Sequence, residues 1–313
     1  MRATRSQFGG ELDGDARADV TTVERLGKFF QKTPEQRWTS VRFLTTMWLA
    51  KLTYAPHRVH LALSSEEQLS FWWSYFPASF SPDRSAFEYW GEDVGDLRFL
   101  WRYLRPGMTF LDIGAHHGVY SLVAAKKVGR DGRVVAFEPS PRERRRLLLH
   151  LWHNRIRSVA VEPFALASEE GQASLTVVVE GYTTMNSLRT PPIDHPTSRL
   201  TVQTMALDSY LERARIDRVD LLKIDTEGGE MEAFRGASRL LSECRPVVIC
   251  EVFDLVTRAW GYAASDIIDL LRAYDYDWCE VRPDGGLIPH RCRPEYPSAK
   301  NYVAVPREKR DFF

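Results

Sequence analysis

From residue 107 onward, short runs rich in β-branched residues alternate with segments of helical periodicity, and this alternation limits the fold more than any other feature. It predicts an α/β fold with a mainly parallel sheet, because parallel strands need crossover helices that cover both sheet faces. The predicted elements are strand 109–115, helix 119–128, strand 133–139, helix 141–154, strand 158–167, strand 219–225, helix 231–243, strand 246–253 and helix 265–274. Ligands bind beyond the carboxyl ends of such strands, so the loops there are the candidate functional regions.

Further β-structure is predicted outside this alternating pattern. Residues 173–180 and 201–206 have the composition of strands and are separated by a loop rich in Pro and Thr. Residues 277–282 and 301–305 are predicted to form a closing antiparallel pair.

The chain ahead of residue 90 has a different pattern. Residues 1–20 are polar and rich in Gly, Asp and Arg, which predicts a disordered tail. Residues 21–89 are predicted to form an N-terminal helical extension, because helix-capping signals occur twice, the second time at Ser64 and Glu67. Residues 90–313 then form the main domain.

The charge and the aromatic content of the chain indicate which binding partners it is expected to have. The chain has 42 basic and 42 acidic residues, so the basic field expected of a protein that binds nucleic acid or an anionic membrane is absent at whole-chain level. The basic run 142–146 is predicted to be a solvated helix face. The aromatic segment 71–80 is predicted to pack the N-terminal layer or a homodimer contact, with stacking on a flat substrate as the alternative.

The sequence predicts a cytoplasmic protein. Its N-terminus has no apolar stretch of signal-peptide length, and no run approaches the roughly 18 apolar residues of a membrane span. The four cysteines lack the spacing of a metal site.

The strongest local motif is residues 112–118 (DIGAHHG), where the first strand meets its helix. Gly114 permits a tight turn, and the helix that opens near Gly118 offers unpaired N–H groups at its positive end. Asp112 is placed to meet a cationic group. Glu138 closes the second strand, where an acid can accept both hydroxyls of a ribose.

The same loop argues against a dinucleotide. A dinucleotide site uses G-x-G-x-x-G, whereas here one Gly is followed by another four residues later. Asp112 would repel a pyrophosphate and favour an amino group or a sulfonium, so the loop favours S-adenosylmethionine over NAD. The alternative is a tight turn with no ligand. His116 and His117 are predicted to line the pocket or face solvent, not to bind a metal.

A second group of charged residues follows a buried strand at residues 223–230 (KIDTEGGE). A carboxylate there could bind a substrate hydroxyl and accept its proton during methyl transfer. Asp225 and Glu227 are the catalytic candidates, and Glu251, at the end of the neighbouring strand, is a third.

Other roles are open for the same residues. Glu230 could stabilise the positive end of the following helix, and Lys223 could be the ion-pair partner that positions the acids. Acids near two strand ends could also hold Mg²⁺. We favour a site without metal, because clustered carboxylates alone do not require one.

At these residues the sequence resembles the FkbM family of S-adenosylmethionine-dependent methyltransferases. The matching segments are FLDIGAHHGVYS (110–121), VVAFEPSP (134–141), FALASEEG (164–171), LLKIDTEGGE (221–230) and GASRLLSECRPVVICEV (236–252). One departure is His116-His117, where the family usually has Asn followed by an aliphatic residue.

The resemblance implies a class I methyltransferase fold, which is Rossmann-like with a mainly parallel seven-stranded sheet. It also implies methyl transfer to oxygen, usually on sugars, polyketides or other natural products. The end of the third strand would border the adenine. The predicted cofactor-binding residues are Asp112, Gly114, Ala115, Gly118, Glu138, Pro139, Phe164 and Ala165.

Two other functions compete with this one. A methyltransferase acting on nitrogen of DNA or protein is disfavoured, because the strand end lacks the Asn/Asp-Pro-Pro-aromatic pattern that holds an amine. A nucleotide-binding partner protein without catalysis is the second alternative.

Overall fold

The computed structural model describes residues 56–63, 68–73, 95–179 and 184–312, and its largest element is an eight-stranded sheet. The strands, in chain order, are β1 (His57–Ala62), β2 (Gln68–Trp73), β3 (Thr109–Ile113), β4 (Arg133–Phe137), β5 (Val159–Glu162), β6 (Ala165–Leu166), β7 (Gly171–Val178), β8 (Thr197–Met205), β9 (Leu221–Ile224), β10 (Val247–Glu251), β11 (Tyr276–Val281), β12 (Leu287–Pro289) and β13 (Asn301–Pro306). The helices are α1 (Gly95–Tyr103), α2 (Val119–Val128), α3 (Pro141–His153), α4 (Leu207–Ala214), α5 (Glu230–Arg235), α6 (Asp254–Thr257) and α7 (Ala264–Ala273).

The order of strands across the large sheet is β12-β11-β13-β10-β9-β3-β4-β5. Neighbours from β10 through β5 pair in parallel, whereas β13 is antiparallel to both β10 and β11. This arrangement confirms the predicted mainly parallel α/β sheet. It also confirms the closing pair predicted at 277–282 and 301–305.

The expected number of seven strands is wrong by one. The eighth strand, β12, has three residues and pairs antiparallel with β11 at the sheet edge. A tight turn folds it back, in which the backbone N–H of Gly286 donates to Asp284 Oδ1 at 3.0 Å. Three residues are too few to show the alternation of a strand, so the sequence did not predict it.

The predicted third strand at 158–167 is divided in the structure. β5 ends at Glu162, and β6 belongs to a separate three-stranded sheet in the order β6-β8-β7. Pro163 lies between them and has no N–H to donate to a neighbouring strand, so the pairing stops there. The predicted additional β-structure is confirmed as β7 and β8.

Two helices are confirmed closely and one is shorter than predicted. α2 has the predicted bounds, and α3 ends one residue early. The helix predicted at 231–243 ends at Arg235 and is followed by a π-type turn at Leu240–Cys244. Gly236 lies so close to the next segment that a Cβ there would be 2.2 Å from the Ala167 carbonyl oxygen, so the chain bends at this point.

The helical extension predicted at 21–89 is wrong where the structure describes it. Residues 57–73 contain the antiparallel hairpin β1–β2, in which Val59, Leu61, Phe71 and Trp73 are buried and the residues between them are more exposed. This alternation has a period of two, and Ser64 and Glu67, which carry the second capping signal, lie outside the described residues. The rest of the predicted extension and the tail at 1–20 lie outside the described residues.

The central strands carry two buried charges in an otherwise apolar core. β3 and β9 are buried on both faces, and Asp112 on β3 lies directly beside Lys223 on β9. Since side chains alternate along a strand, Asp225 emerges on the same face as Lys223. Among the described helices, none has both the length and the apolar character needed to cross a bilayer.

Candidate active site

The loop between β3 and α2 has two glycines in left-handed backbone conformation, Gly114 at φ 75° and Gly118 at φ 86°. A Cβ at Gly114 would lie 1.8 Å from the carbonyl oxygen of Asp225, and one at Gly118 would lie 2.1 Å from Leu147 Cδ1. Any other residue at these positions would have to displace the end of β9 or helix α3. The tight turn predicted at Gly114 is confirmed.

Glu138 closes β4 with a carboxylate that is almost completely buried. One of its oxygens accepts the backbone N–H of His116 and the other that of Ser140, each at 2.8 Å. Burial raises the pKa of this carboxyl to about 8, despite the two N–H groups that favour the ionised form. Because each carboxylate oxygen has two lone pairs, each can accept one more hydrogen bond from a ligand.

The basic run at 142–146 supports the site and is not simply the predicted solvated face. Arg144 donates to the backbone carbonyls of Glu138 and Pro139 at 2.8 and 3.0 Å, which holds the loop after β4. Glu143 and Arg146 are buried. The solvated face of α3 includes Arg145 from this run and also Leu148, both of which are exposed.

Glu143 lies beneath the histidines of the glycine loop. Its Oε2 is 2.6 Å from His117 Nε2 and 3.8 Å from His116 Nε2, and the two imidazole rings stack at 3.6 Å. Burial would raise the pKa of Glu143, but the histidines and Arg142 hold it well below its usual range. The three side chains are close enough to share a metal ion, yet Arg142 and Arg146 also contact Glu143 and oppose a further cation.

A cavity connects the glycine loop with the acids that follow β9. Seven of the predicted site residues line it, whereas Asp112, Ala115, Gly118 and Glu251 are outside its lining. The predicted residues that line it are Gly114, Glu138, Pro139, Phe164, Ala165, Asp225 and Glu227. Other walls are apolar and come from Ile113, Phe137, Leu166, Leu175, Leu188 and Trp260.

Asp112 lies below this cavity, fully buried. Its Oδ2 accepts a hydrogen bond from Ser121 Oγ at 2.6 Å, and its Oδ1 has no partner among the described residues. Burial raises its pKa, and the positive charge of Lys223 on the next strand opposes that rise. In the structure the cationic group beside Asp112 is thus Lys223.

Three acids converge where β9 and β10 end. Oxygens of Asp225, Glu227 and Glu251 all lie within 4.8 Å of one another. Burial, and then the charge of Asp225, raise the pKa values of Glu227 and Glu251 well above their usual range. Carboxylates this close repel one another, so the cluster disfavours a state in which every member is ionised.

Lys223 is the cation of this cluster. Its Nζ donates to Asp225 Oδ2 at 3.0 Å and lies 4.7 Å from the centre of the Tyr120 ring. Although burial would lower its pKa, the carboxylates of Asp225 and Asp112 raise it, so the amine stays protonated. The ion-pair role considered for Lys223 is therefore present in the structure.

Glu230 braces the turn after β9. Its Oε1 accepts the backbone N–H of Thr226 at 2.7 Å and the Thr226 hydroxyl at 2.9 Å. The turn needs this support, because Glu227 adopts a left-handed backbone with φ 54°. Glu230 is buried and lies in the first turn of α5. This is the position expected if its carboxylate stabilises the positive end of that helix.

Trp260 and Ser187 complete the cavity, and neither is among the predicted site residues. The Ser187 hydroxyl donates to the Glu227 carbonyl at 2.9 Å, and Trp260 Nε1 donates to the same oxygen at 3.3 Å. Trp260 also packs against Gly228 and Gly229. The glycine pair was a signal that a bulky group approaches the turn, but nothing in the sequence identified that group as Trp260.

A family model described as the methyltransferase FkbM domain matches residues 112–278, just over half of the chain. The chain belongs to the FkbM methyltransferase family. The match extends from Asp112 in β3 to Trp278 in β11 and includes both the glycine loop and the acid cluster. The resemblance found in the sequence is confirmed.

Two curated relatives are consistent with this membership. The AMB antimetabolite synthetase AmbE of Pseudomonas aeruginosa is 28% identical over 220 residues, which cover 59% of this chain and 10% of that protein. Methyltransferase 1 of Beauveria bassiana is 25% identical over 148 residues, which cover 42% of this chain and 59% of that protein. The FkbM chain thus spans only part of the length of either relative.

Solved structures of similar fold include the methyltransferase FkbM from Methylobacillus flagellatus KT, with 16% identity, a TM-score of 0.42 and coverage of 64% of this chain and 44% of that one. The O-methyltransferase from Bacillus cereus, solved with SAH, has 17% identity, a TM-score of 0.41 and coverage of 71% and 85%.

Proposed function

We propose that this FkbM-family methyltransferase transfers a methyl group from S-adenosylmethionine to a hydroxyl oxygen of a small molecule, such as a sugar, a polyketide or another natural product. One observation carries the proposal. A single cavity has a buried strand-end acid, Glu138, on one side and two acids of a carboxylate cluster, Asp225 and Glu227, on the other.

The residues of the cavity fit the proposed cofactor. Each oxygen of Glu138 has a lone pair left after its backbone hydrogen bond, and the two together match the two hydroxyls of a ribose. Phe137, Phe164 and Leu188 provide apolar walls for a flat base. Bound S-adenosylmethionine supplies a methyl group on a sulfonium, which is an excellent leaving group.

The chain itself then has two tasks, alignment of the acceptor and removal of its proton. Asp225 and Glu227 bind the acceptor hydroxyl, and the cluster that they form with Glu251 takes up its proton. Lys223 donates a hydrogen bond to Asp225 Oδ2 and fixes the position of its side chain. Trp260 and Ser187 hold the turn that carries Glu227, so the acids keep one orientation.

The reaction is proposed to proceed without a metal ion. Oxygen ligands within 4.8 Å of one another suit Mg²⁺ in principle. Lys223, however, already provides a positive charge in contact with Asp225, and burial raises the pKa values of Glu227 and Glu251, which disfavours their ionised forms. Both features reduce the charge that a divalent cation would have to neutralise.

The test is methyl transfer from S-adenosylmethionine with a labelled methyl group, incubated with extracts of the producing organism. We expect label in a product whose methyl group is bound to oxygen, and stabilisation of the protein by S-adenosylhomocysteine but not by NAD. A labelled N-methyl product would identify the enzyme as an N-methyltransferase. Tight binding of the cofactor with no transfer to any acceptor would support the non-catalytic partner protein and contradict the proposal.

A further inference from the structure

A second cavity, which we call the basic groove, lies where the hairpin β1–β2 meets helix α2 and the end of α3. Its volume is about 610 Å³, within the usual range of small-molecule sites. Its described lining consists of Pro56, Arg58, Ser70, Trp72, Lys126, His153, Asn154 and Arg155.

The groove is separate from the candidate active site. The two cavities share no described lining residue. Helices α2 and α3 begin beside the glycine loop and Glu138, whereas the groove is built from their last turns. At 1.5 Å per residue, these ends are roughly 10–18 Å along the helices from their starts.

Positive charge dominates the groove. Arg58, Lys126 and Arg155 are exposed cations. His153 also lines the groove, and burial lowers the pKa of its imidazole. No acidic residue occurs in the described lining, and none of the three cations forms an ion pair with a described carboxylate. Burial, together with the charge of Arg58, lowers the pKa of Lys126. An anion bound between them would relieve this repulsion.

The floor of the groove is fixed by hydrogen bonds. The side chain of Asn154 accepts from the backbone N–H of Trp72 and donates to its carbonyl, both at 2.8 Å. Lys126 Nζ donates to the Ser70 carbonyl at 3.3 Å. The cations are therefore attached to a frame that ties the hairpin to both helices, and a ligand would meet a largely preformed site.

An aromatic surface accompanies the charge. The Trp72 side chain is 38% exposed, and the Arg58 guanidinium lies 5.2 Å from the centre of its ring. Guanidinium groups bind phosphate oxygens in pairs, and an exposed indole stacks on flat groups. We propose that the basic groove binds a small phosphate monoester, with the phosphate between Arg58, Lys126 and Arg155 and a planar group against Trp72.

Calorimetric titration of the full chain at low ionic strength tests this inference, with inorganic phosphate and phenyl phosphate as probes. We expect both probes to bind, phenyl phosphate more tightly, and both to weaken as salt is added. Arg58→Ala and Lys126→Ala should each weaken both probes about tenfold or more. Trp72→Ala should remove only the advantage of phenyl phosphate.

Arg130→Ala is the matched control, since Arg130 is an exposed arginine just after α2 and outside the groove lining. It should leave both affinities unchanged. Binding of S-adenosylhomocysteine should be unchanged in every variant, which separates this site from the proposed function. No binding of either probe, or equal weakening in the groove variants and in Arg130→Ala, would overturn the inference. If Arg58→Ala or Lys126→Ala shows no cooperative melting transition, Arg155→Ala takes its place in the same titration.

Discussion

Replacing Glu138 by alanine removes the acceptor of two backbone N–H groups, those of His116 and Ser140, at 2.8 Å each. It also removes the two lone pairs that we assign to the ribose. Above pH 8, where Glu138 is ionised, two charge-assisted hydrogen bonds of about 1.5–3 kcal/mol each amount to about 3–6 kcal/mol, or roughly 10²–10⁴-fold in affinity. We therefore expect the affinity of Glu138→Ala for S-adenosylhomocysteine to be lower than that of the parent chain by this factor.

Isothermal titration measures this loss directly, and Glu162→Ala is the matched control. Glu162 ends the neighbouring strand beside Phe137 but bonds to Tyr210, outside the described cavity lining. Its replacement should leave the affinity nearly unchanged. Equal affinities in the parent chain and Glu138→Ala would refute the assignment of Glu138 to the ribose.

The pH dependence of binding provides a second readout of the same residue. Burial raises the pKa of Glu138 from 4.5 to about 8, so in the free protein the carboxyl is protonated below that value. Hydroxyl donors favour the ionised form, and the affinity for the cofactor should therefore rise with pH up to about 8 and then level off.

The stability of the folded protein depends on pH in the opposite direction. The contribution of Glu138 to stability is full below about 4.5 and is lost as the pH rises through about 8. Glu138→Gln should flatten the binding profile.

Two further predictions concern the metal and the glycine loop. Activity should survive a chelator, because Lys223 rather than a metal ion provides the positive charge at Asp225; complete loss with rescue by Mg²⁺ would contradict this. Gly114→Ala should abolish S-adenosylhomocysteine binding and lower the melting temperature, because its Cβ would lie 1.8 Å from the Asp225 carbonyl. Gly107→Ala has the same left-handed strain, at φ 84°, with no atom within 4 Å, and should cost only about 1–2 kcal/mol with binding intact.

The strands and helices that the sequence predicted well are those with a long and regular pattern. α2 and β3 have runs that are bounded by glycine, and both begin at the predicted residue. The hairpin β1–β2 was predicted as helical because Ser64 and Glu67 have the spacing of a capping box, which also occurs in turns. The alternation of Val59, Leu61 and Leu63 with the residues between them was the better signal, because it has the period of a strand and these three residues are buried.

The acids of the site were predictable because strand ends and glycine turns carry local signals. Asp225 and Glu227 follow a buried strand, and the structure places both in the lining of one cavity with Glu138. Trp260 could not be predicted, because its role depends on a fold that returns residue 260 to the turn at Gly228. The burial of Glu143 likewise depends on His117, 26 positions earlier in the chain.

The central claim is that Asp225 and Glu227 act on the acceptor while Glu138 holds the cofactor. Once labelling has identified the acceptor, binding, melting and turnover of Asp225→Asn and Glu227→Gln should be measured on the same preparations. The account predicts unchanged affinity for S-adenosylhomocysteine and turnover lower by about 10²–10⁴-fold. Full turnover in both variants would contradict it, and so would a lower melting temperature with unchanged turnover per folded molecule.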